Sequence, residues 1–268
     1  MSGFGDAFCL TLITDDPALA ARADRAGVNR VGLDLEVLGK AERQAGEDTR
    51  LSRHSLEDLA KIAPALTRAD LFARLNPLNP GTRDEVERAV ELGARVLMLP
   101  FFRTAHEVET FVRLVDGRAH VTLLLETPPA VVRIREIVAV PGVREIMIGL
   151  NDLRLAFGVS SHFEVLASPL LDGLAGEVRR AGLIFSVGGV ARPDDGSLPI
   201  SPDLVLAQYP RLNATGAWVA RSFFRGMPPD RDFAGAIASL RRRLTEWAAA
   251  TPEALEQARR ELAERARA

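Results

Sequence analysis

The sequence predicts a single closed (β/α)8 barrel with extra helices at its C-terminal end. Three observations lead there. Short β-rich apolar runs alternate with stretches of 3.6-residue periodicity almost throughout. Eight such runs can be counted in the 268 residues, a length that one α/β barrel uses as a single domain. No Gly-x-Gly-x-x-Gly turn follows the first run, as an open dinucleotide-binding sheet would need. Strict alternation of strand and helix means a parallel sheet covered by helices.

The expected strands, in order, are 8–13, 29–35, 71–75, 95–99, 120–125, 144–149, 183–187 and 216–220. Each is a short apolar run rich in Val, Ile, Leu and Phe, as strands buried on both faces should be. Between them, segments such as 82–92 and 105–115 repeat apolar residues at helical spacing. Two connections stand out as long loops: 37–53, rich in charge (Lys40, Glu42, Arg43, Gln44, Glu47, Asp48, Arg50), and 150–163. Both follow strands and so belong to the C-terminal face, where barrel enzymes build their sites. The barrel is expected over 1–230. A helical extension is expected over 231–268, with Ile237, Leu240, Leu244 and Trp247 as an apolar stripe for the barrel or a neighbouring subunit.

Composition narrows the function. Apolar residues make up 47% and charged residues 26%, which fits a globular enzyme with a full core. A net charge of -2 gives no electrostatic case for nucleic acid or an anionic membrane. Neither a secretory leader nor an apolar run long enough to span a bilayer is evident. The lone cysteine, Cys9, excludes an internal disulfide and fits a reducing cytoplasm. Its place in the first strand marks it as a small core residue.

The chemistry is expected at the strand ends. Glu126 closes the fifth strand and Asp152 lies just beyond the sixth. Two hard oxygen donors at the same ends of neighbouring parallel strands can share one divalent cation, Mg2+ or Mn2+ rather than Zn2+. The alternative is that these acids cap the helices that follow, although Thr127 and Asn151 could do so themselves. Strand 2 ends in Asp34-Leu35-Glu36, and alternation puts Asp34 and Glu36 on one face. Arg74 ends strand 3 and can hold a carboxylate or enolate oxygen, or form a structural ion pair with Glu36. Gly188-Gly189 at the end of strand 7 and Arg221 after strand 8 match the place where barrels bind anionic groups. Gly149 and Asn151 are further candidates for substrate contact. Of the four histidines, His106 and His120 read as structural, whereas His54 and His162 sit in loops that could reach the mouth.

At these residues the sequence resembles the HpcH/HpaI aldolase and citrate lyase β-subunit family. The motifs are Gly32-Leu33-Asp34-Leu35-Glu36, Arg74-Leu75-Asn76-Pro77, Gly93-Ala94 to Met98-Leu99-Pro100, Leu125-Glu126-Thr127 and Ile148-Gly149-Leu150-Asn151-Asp152-Leu153. The resemblance implies a (β/α)8 barrel with Mg2+ or Mn2+ on Glu126 and Asp152. It also implies Arg74 on a 2-oxo acid or acyl group, and a homo-oligomer with a C-terminal helix on a neighbour. Two departures stand out. Val37 follows Glu36 where the aldolase branch carries a histidine base, and the second Asp of the citrate-lyase pattern Asp-Leu-Glu-Asp is missing. With these departures and its Gly39-Lys40-x-x-Arg43-Gln44 loop, the sequence resembles a side branch of the family. The expected reaction is reversible cleavage of a 2-oxo acid through a pyruvate-like enolate, with a bound water, His54 or Glu36 as base. The alternatives are an acyl-CoA lyase and a non-catalytic barrel that serves as a binding module.

Overall fold

The structure is a computed structural model and describes residues 3–40, 53–224 and 232–268. Eight parallel strands close into a barrel in sequence order: β1 (Cys9–Ile13), β2 (Arg30–Asp34), β3 (Asp70–Arg74), β4 (Val96–Leu99), β5 (His120–Leu125), β6 (Val143–Ile148), β7 (Ile184–Val190) and β8 (Gly216–Val219). The seam is the parallel pair β1 and β8, with Cys9 opposite Gly216. The expected fold is therefore present, with helices between the strands and further helices after β8.

Alternation along each strand sorts side chains into two populations. Outward residues such as Leu71, Ala73, Leu97, Leu99, Leu123 and Ile146 join one large core with helix residues such as Val86, Ala89, Val108 and Phe111. Inward residues fall into three layers. The middle layer is apolar: Phe72, Val96, Met98, Leu124 and Met147, with Ile13 and Trp218 against them. Below it lies a polar floor. The Arg30 Nη1 atom on β2 reaches across to Glu145 on β6 at 2.6 Å, and Glu145 also accepts from Ser186 at 2.6 Å and Thr122 at 3.3 Å. Two residues above the middle layer on their strands come Asp34, Arg74 and Glu126, at the C-terminal mouth.

Two local expectations are corrected. Strand 7 does not stop at its glycines: β7 runs to Val190, and Gly188 and Gly189 form an irregularity within it, where the register against β8 shifts. Gly188 has φ +44, and a Cβ there would meet Leu150 Cδ1 at 2.7 Å, so glycine is required by both backbone and space. Segment 150–163 is not a loop. It forms the helix Leu150–Phe157, ended by Gly158 in the left-handed conformation, and then the helix His162–Leu166 capped by Ser161. Most of the other long connection, with Glu42, Arg43, Gln44, Glu47, Asp48 and Arg50, lies outside the described residues.

The last two helices are Phe233–Ala248 and Pro252–Arg267. The first packs against the N-terminal turn Phe4–Ala7, and its Arg241 donates to the carbonyls of Gly5, Phe8 and Gly27 at 2.6, 2.8 and 2.7 Å. The second lies along His162–Leu166, Pro202–Leu206 and Gln208–Leu212 of the same chain and buries Ala258, Leu262 and Ala266.

The floor links stability to pH. Burial alone would push the Glu145 carboxyl up, but His120, Arg30 and Ser186 outweigh it and hold it at about 2, below its ordinary 4.5. A carboxyl depressed in the folded state stabilises fully above its unfolded value and loses that contribution as pH falls towards the folded one. Glu145→Gln should therefore unfold at lower urea at pH 7, by about 3 kcal/mol because Arg30 loses its partner. It should also lose stability less steeply than the parent between pH 4.5 and 2; urea midpoints measured across that window would read both effects.

Candidate active site

The mouth is organised by Asp34, the last residue of β2. It stands opposite Arg74 in the β2–β3 register, so the two side chains leave neighbouring strands on the same face. Asp34 Oδ1 accepts from Arg74 Nε at 2.8 Å and Oδ2 accepts from Arg74 Nη2 at 2.5 Å, a bidentate pair. The same carboxylate accepts from the Glu36 N–H at 3.1 Å and from Lys40 Nζ at 3.0 Å. Burial alone would raise the Asp34 carboxyl, but Arg74 and Lys40 hold it well below the usual carboxylate range. Arg74 was expected to choose between substrate and Glu36. Its principal partner is Asp34; Glu36 lies further off, with Oε2 at 3.6 Å from Nη1. The guanidinium also sits 5.8 Å from the ring centroid of Trp218 on β8.

Glu36 is only 2% exposed. Lys40, 6% exposed, lies 3.3 Å from its Oε2. Sequence reading noticed Lys40 as a departure but gave it no role. Asn76 was also missed: its Oδ1 accepts from the N–H groups of Val37 and Leu38 at 2.9 and 3.0 Å, while its Nδ2 donates to Glu85 at 3.0 Å. It ties the turn after β2 to the end of β3. An Asn two residues beyond a strand-end arginine was the available signal.

Glu126 follows β5 directly and is 3% exposed. Its Oε1 accepts from the Phe101 N–H at 3.1 Å. Phe101 has φ +53, a left-handed conformation that costs a bulky residue about 1–3 kcal/mol. That backbone turn aims an N–H at the carboxylate, and nothing in the sequence marked it. Glu126 also acts electrostatically on Arg74. Thr127 caps the helix Pro128–Val132 by accepting from the Ala130 N–H, so Glu126 is not needed as a cap. After β6, the cap position is Gly149, whose N–H donates to Leu125 O at 3.0 Å. Asn151 is thus not the cap: it and Asp152 lie half-buried in the helix's first turn. A Cβ on Gly149 would lie 2.5 Å from Glu126 Oε2 and 2.6 Å from Glu126 Cβ. Glycine there keeps open the space that the Glu126 side chain occupies.

His54 lies in the loop before the helix Asp58–Ile62 and sits against the end of β2. Its Nδ1 lies 3.1 Å from the Asp34 carbonyl, and its Nε2 is 3.9 Å from Asp15 Oδ1. His162 starts a helix and is exposed, with its ring 4.0 Å from that of Phe163. His106 is 84% exposed on its side chain, and His120 reaches Glu145 in the floor at 3.5 Å. Arg221 is exposed at the start of the short 3-10 helix Arg221–Phe224. Burial pushes the Cys9 thiol up to about 11, which suits a core residue and not a nucleophile. Among the described residues no group of three or more His, Cys, Asp or Glu gathers for a metal. Any ion held here would rest on two carboxylates with substrate and water completing the shell, a pattern common for Mg2+.

A parallel barrel with acids and an arginine at its C-terminal mouth carries its polar groups where barrel enzymes build their active sites. The chain belongs to the HpcH/HpaI aldolase/citrate lyase family, whose model matches residues 9–170, and is an enzyme of the carbon–carbon lyase type. A search of curated proteins gives no match. Among solved structures, an HpcH/HpaI aldolase/citrate lyase family protein from Burkholderia cenocepacia is similar with TM-score 0.64 and 16% identity, over 90% of this chain and 95% of that one. The citrate synthase SbnG gives 0.62 and 16%, over 89% and 95%. An HpcH/HpaI aldolase from Desulfitobacterium hafniense gives 0.59 and 16%, over 80% and 86%. At such identity these likenesses speak for the fold. No helix among the described residues is long and apolar enough to cross a membrane.

The contact between Gly149 and Glu126 is directly testable. Gly149→Ala should force the carboxylate aside and lower stability by about 1–3 kcal/mol. Thermal unfolding would measure it, and an unchanged midpoint would mean that Glu126 has another place to go.

Proposed function

We propose that this enzyme is a divalent-metal-dependent lyase that cleaves or forms a 2-oxo acid through a pyruvate-like enolate. The observation that carries the reading is the placement of Arg74, clamped by Asp34, within the electrostatic reach of Glu126 at the C-terminal mouth. The donor chemistry fits a hard cation: Glu126 and Asp152 offer oxygen only, on consecutive βα connections, and Gly149 leaves the Glu126 carboxylate its space. When bound, Mg2+ or Mn2+ would supply Lewis-acid polarisation of a carbonyl and charge compensation for the acids.

The protein's own groups account for the rest. Arg74 spends Nε and one Nη2 hydrogen on Asp34, and its Nη1 side is the part to meet the substrate's carboxylate and keto oxygens. Gly149, Asn151, Gly188, Gly189 and Arg221 are the proposed remaining substrate contacts. In the cleavage direction a base removes the hydroxyl proton one carbon beyond the scissile bond. The carbon–carbon bond breaks, the carbonyl fragment leaves, and the electron pair passes into the enolate. Positive charge at Arg74 stabilises the enolate more than the ground state, which is the origin of rate enhancement. Of the two side chains considered as base, we assign the step to His54 Nε2. Its Nδ1 is engaged by the main chain of Asp34, which fixes the ring, whereas Glu36 faces Lys40 and Arg74. The substrate is a small molecule, and the compartment and assembly expected from the sequence, cytoplasm and homo-oligomer, remain part of this proposal.

Enolisation can be isolated from the full reaction. With Mn2+ or Mg2+, the methyl protons of pyruvate should exchange with D2O, as followed by proton NMR. Glu126→Ala or Asp152→Ala should reduce exchange by at least about 100-fold, and His106→Ala should leave it unchanged. Absence of metal-dependent exchange in the parent enzyme would sink this reading. His54→Gln should slow cleavage of a 2-oxo acid by about 100-fold or more.

A further inference from the structure

The strands do not all end alike inside the barrel. The last inward residues of β2 and β3 are the charged pair Asp34 and Arg74. Those of β1 and β8, which adjoin one another at the seam, are Ile13 and Trp218. Trp218 spans two layers. Its ring meets that of Phe72, in the apolar layer, at 85° with centroids 5.3 Å apart. The same ring centroid lies 5.8 Å from the guanidinium carbon of Arg74, two residues further along β3. Phe72, Val96, Met98, Leu124 and Met147 are shut away from solvent, whereas Ile13 and Trp218 are only half-buried. The position two residues beyond Trp218, Ala220, carries just a methyl group. An apolar shelf, partly open to solvent, therefore lies beside the guanidinium that Asp34 clamps.

We propose that Trp218, with Ile13 beside it, is a specificity-determining floor that takes the third carbon of a 2-oxo acid and any alkyl group attached there. This inference rests on the role given to Arg74 above. The polar contacts proposed for the acid's oxygens come chiefly from the ends of β3, β5 and β6. Its carbon end is left to face another part of the ring of strands, and the seam between β8 and β1 is where the described inward side chains are apolar. A short chain on a carboxylate held by the guanidinium is within reach of the indole 5.8 Å away. Covering that half-exposed ring with CH2 and CH3 groups removes apolar surface from water on both partners. The favoured substrates are therefore 2-oxo acids longer than pyruvate, with an alkyl group on the third carbon.

Calorimetric titration of pyruvate, 2-oxobutanoate and 2-oxopentanoate into the Mg2+-loaded protein reads the contact. Each added methylene should tighten binding by about threefold or more, as burial of a CH2 group predicts. Trp218→Phe should keep that gradient, and Trp218→Gln should flatten it to less than about 1.5-fold per methylene. A second measurement leaves the site unaltered. The chain has two tryptophans, and Trp247 lies on the helix Phe233–Ala248, where its Nε1 donates to Asp203 at 3.0 Å. In Trp247→Phe the tryptophan emission comes from Trp218 alone. Saturating 2-oxobutanoate should reduce acrylamide quenching of that emission by about twofold or more, because a bound ligand shields the ring. This measurement keeps the test alive if Trp218→Gln does not fold. A flat series in the parent, a gradient that survives in Trp218→Gln, or quenching unchanged by ligand would overturn the inference while leaving the lyase proposal standing. Failure of all three acids to bind the parent protein would overturn the role of Arg74 and this inference together.

Discussion

The bidentate bond between Asp34 and Arg74 is the interaction on which the mouth depends. It joins the ends of β2 and β3 at positions already paired by strand register, so the backbone ladder and the side-chain pair reinforce one another. Every other feature of that corner hangs from it: the Glu36 N–H and Lys40 meet the same carboxylate, and His54 rests on the same residue's main chain. A buried ion pair of this kind is weak as a source of stability but strong as a device for fixing geometry, because its desolvation is tolerable only in one arrangement. Catalysis by charge stabilisation needs donors that do not have to reorganise when charge develops.

The opposite side of the mouth is built by different means. Glu126 is shaped by backbone: an N–H from the left-handed Phe101 on one side and the missing side chain of Gly149 on the other. Phe101 lies in the short connection between the end of β4 and the helix Ala105–Val115, and its N–H is bonded to Glu126 in that conformation. The two halves therefore differ in construction, with a clamped guanidinium at the ends of β2 and β3 and the Glu126 carboxylate at the end of β5.

Much of this could be read from the sequence. The strands were legible because each is an apolar run of barrel-strand length, and their ends located Glu126, Asp152 and Arg74 at the mouth. What could not be read was pairing. Alternation places Asp34 and Glu36 on one face but does not say which of them lies across from Arg74; that is decided by the register of β2 on β3. Lys40 and Asn76 were visible in their motifs but could be given no role, because their contacts require the turn after β2 to fold back, a tertiary event without periodicity. The 150–163 segment read as a loop because its helix starts at Gly149 with no side-chain cap, and so lacks the usual Ser, Thr or Asp signal. The run of strand 7 beyond its glycines was hidden for a related reason: glycine pairs mark strand ends and bulges equally well.

The barrel interior carries an apolar septum of Phe72, Val96, Met98, Leu124 and Met147 between two sets of ionised groups. Electrostatic communication between the Arg30–Glu145 crossbar and the charged mouth must pass through that greasy partition and its neighbouring backbone. The enzyme thus has two separately adjustable regions. Acid tolerance and thermal endurance can be retuned at the base with the charged groups of the rim left as they are.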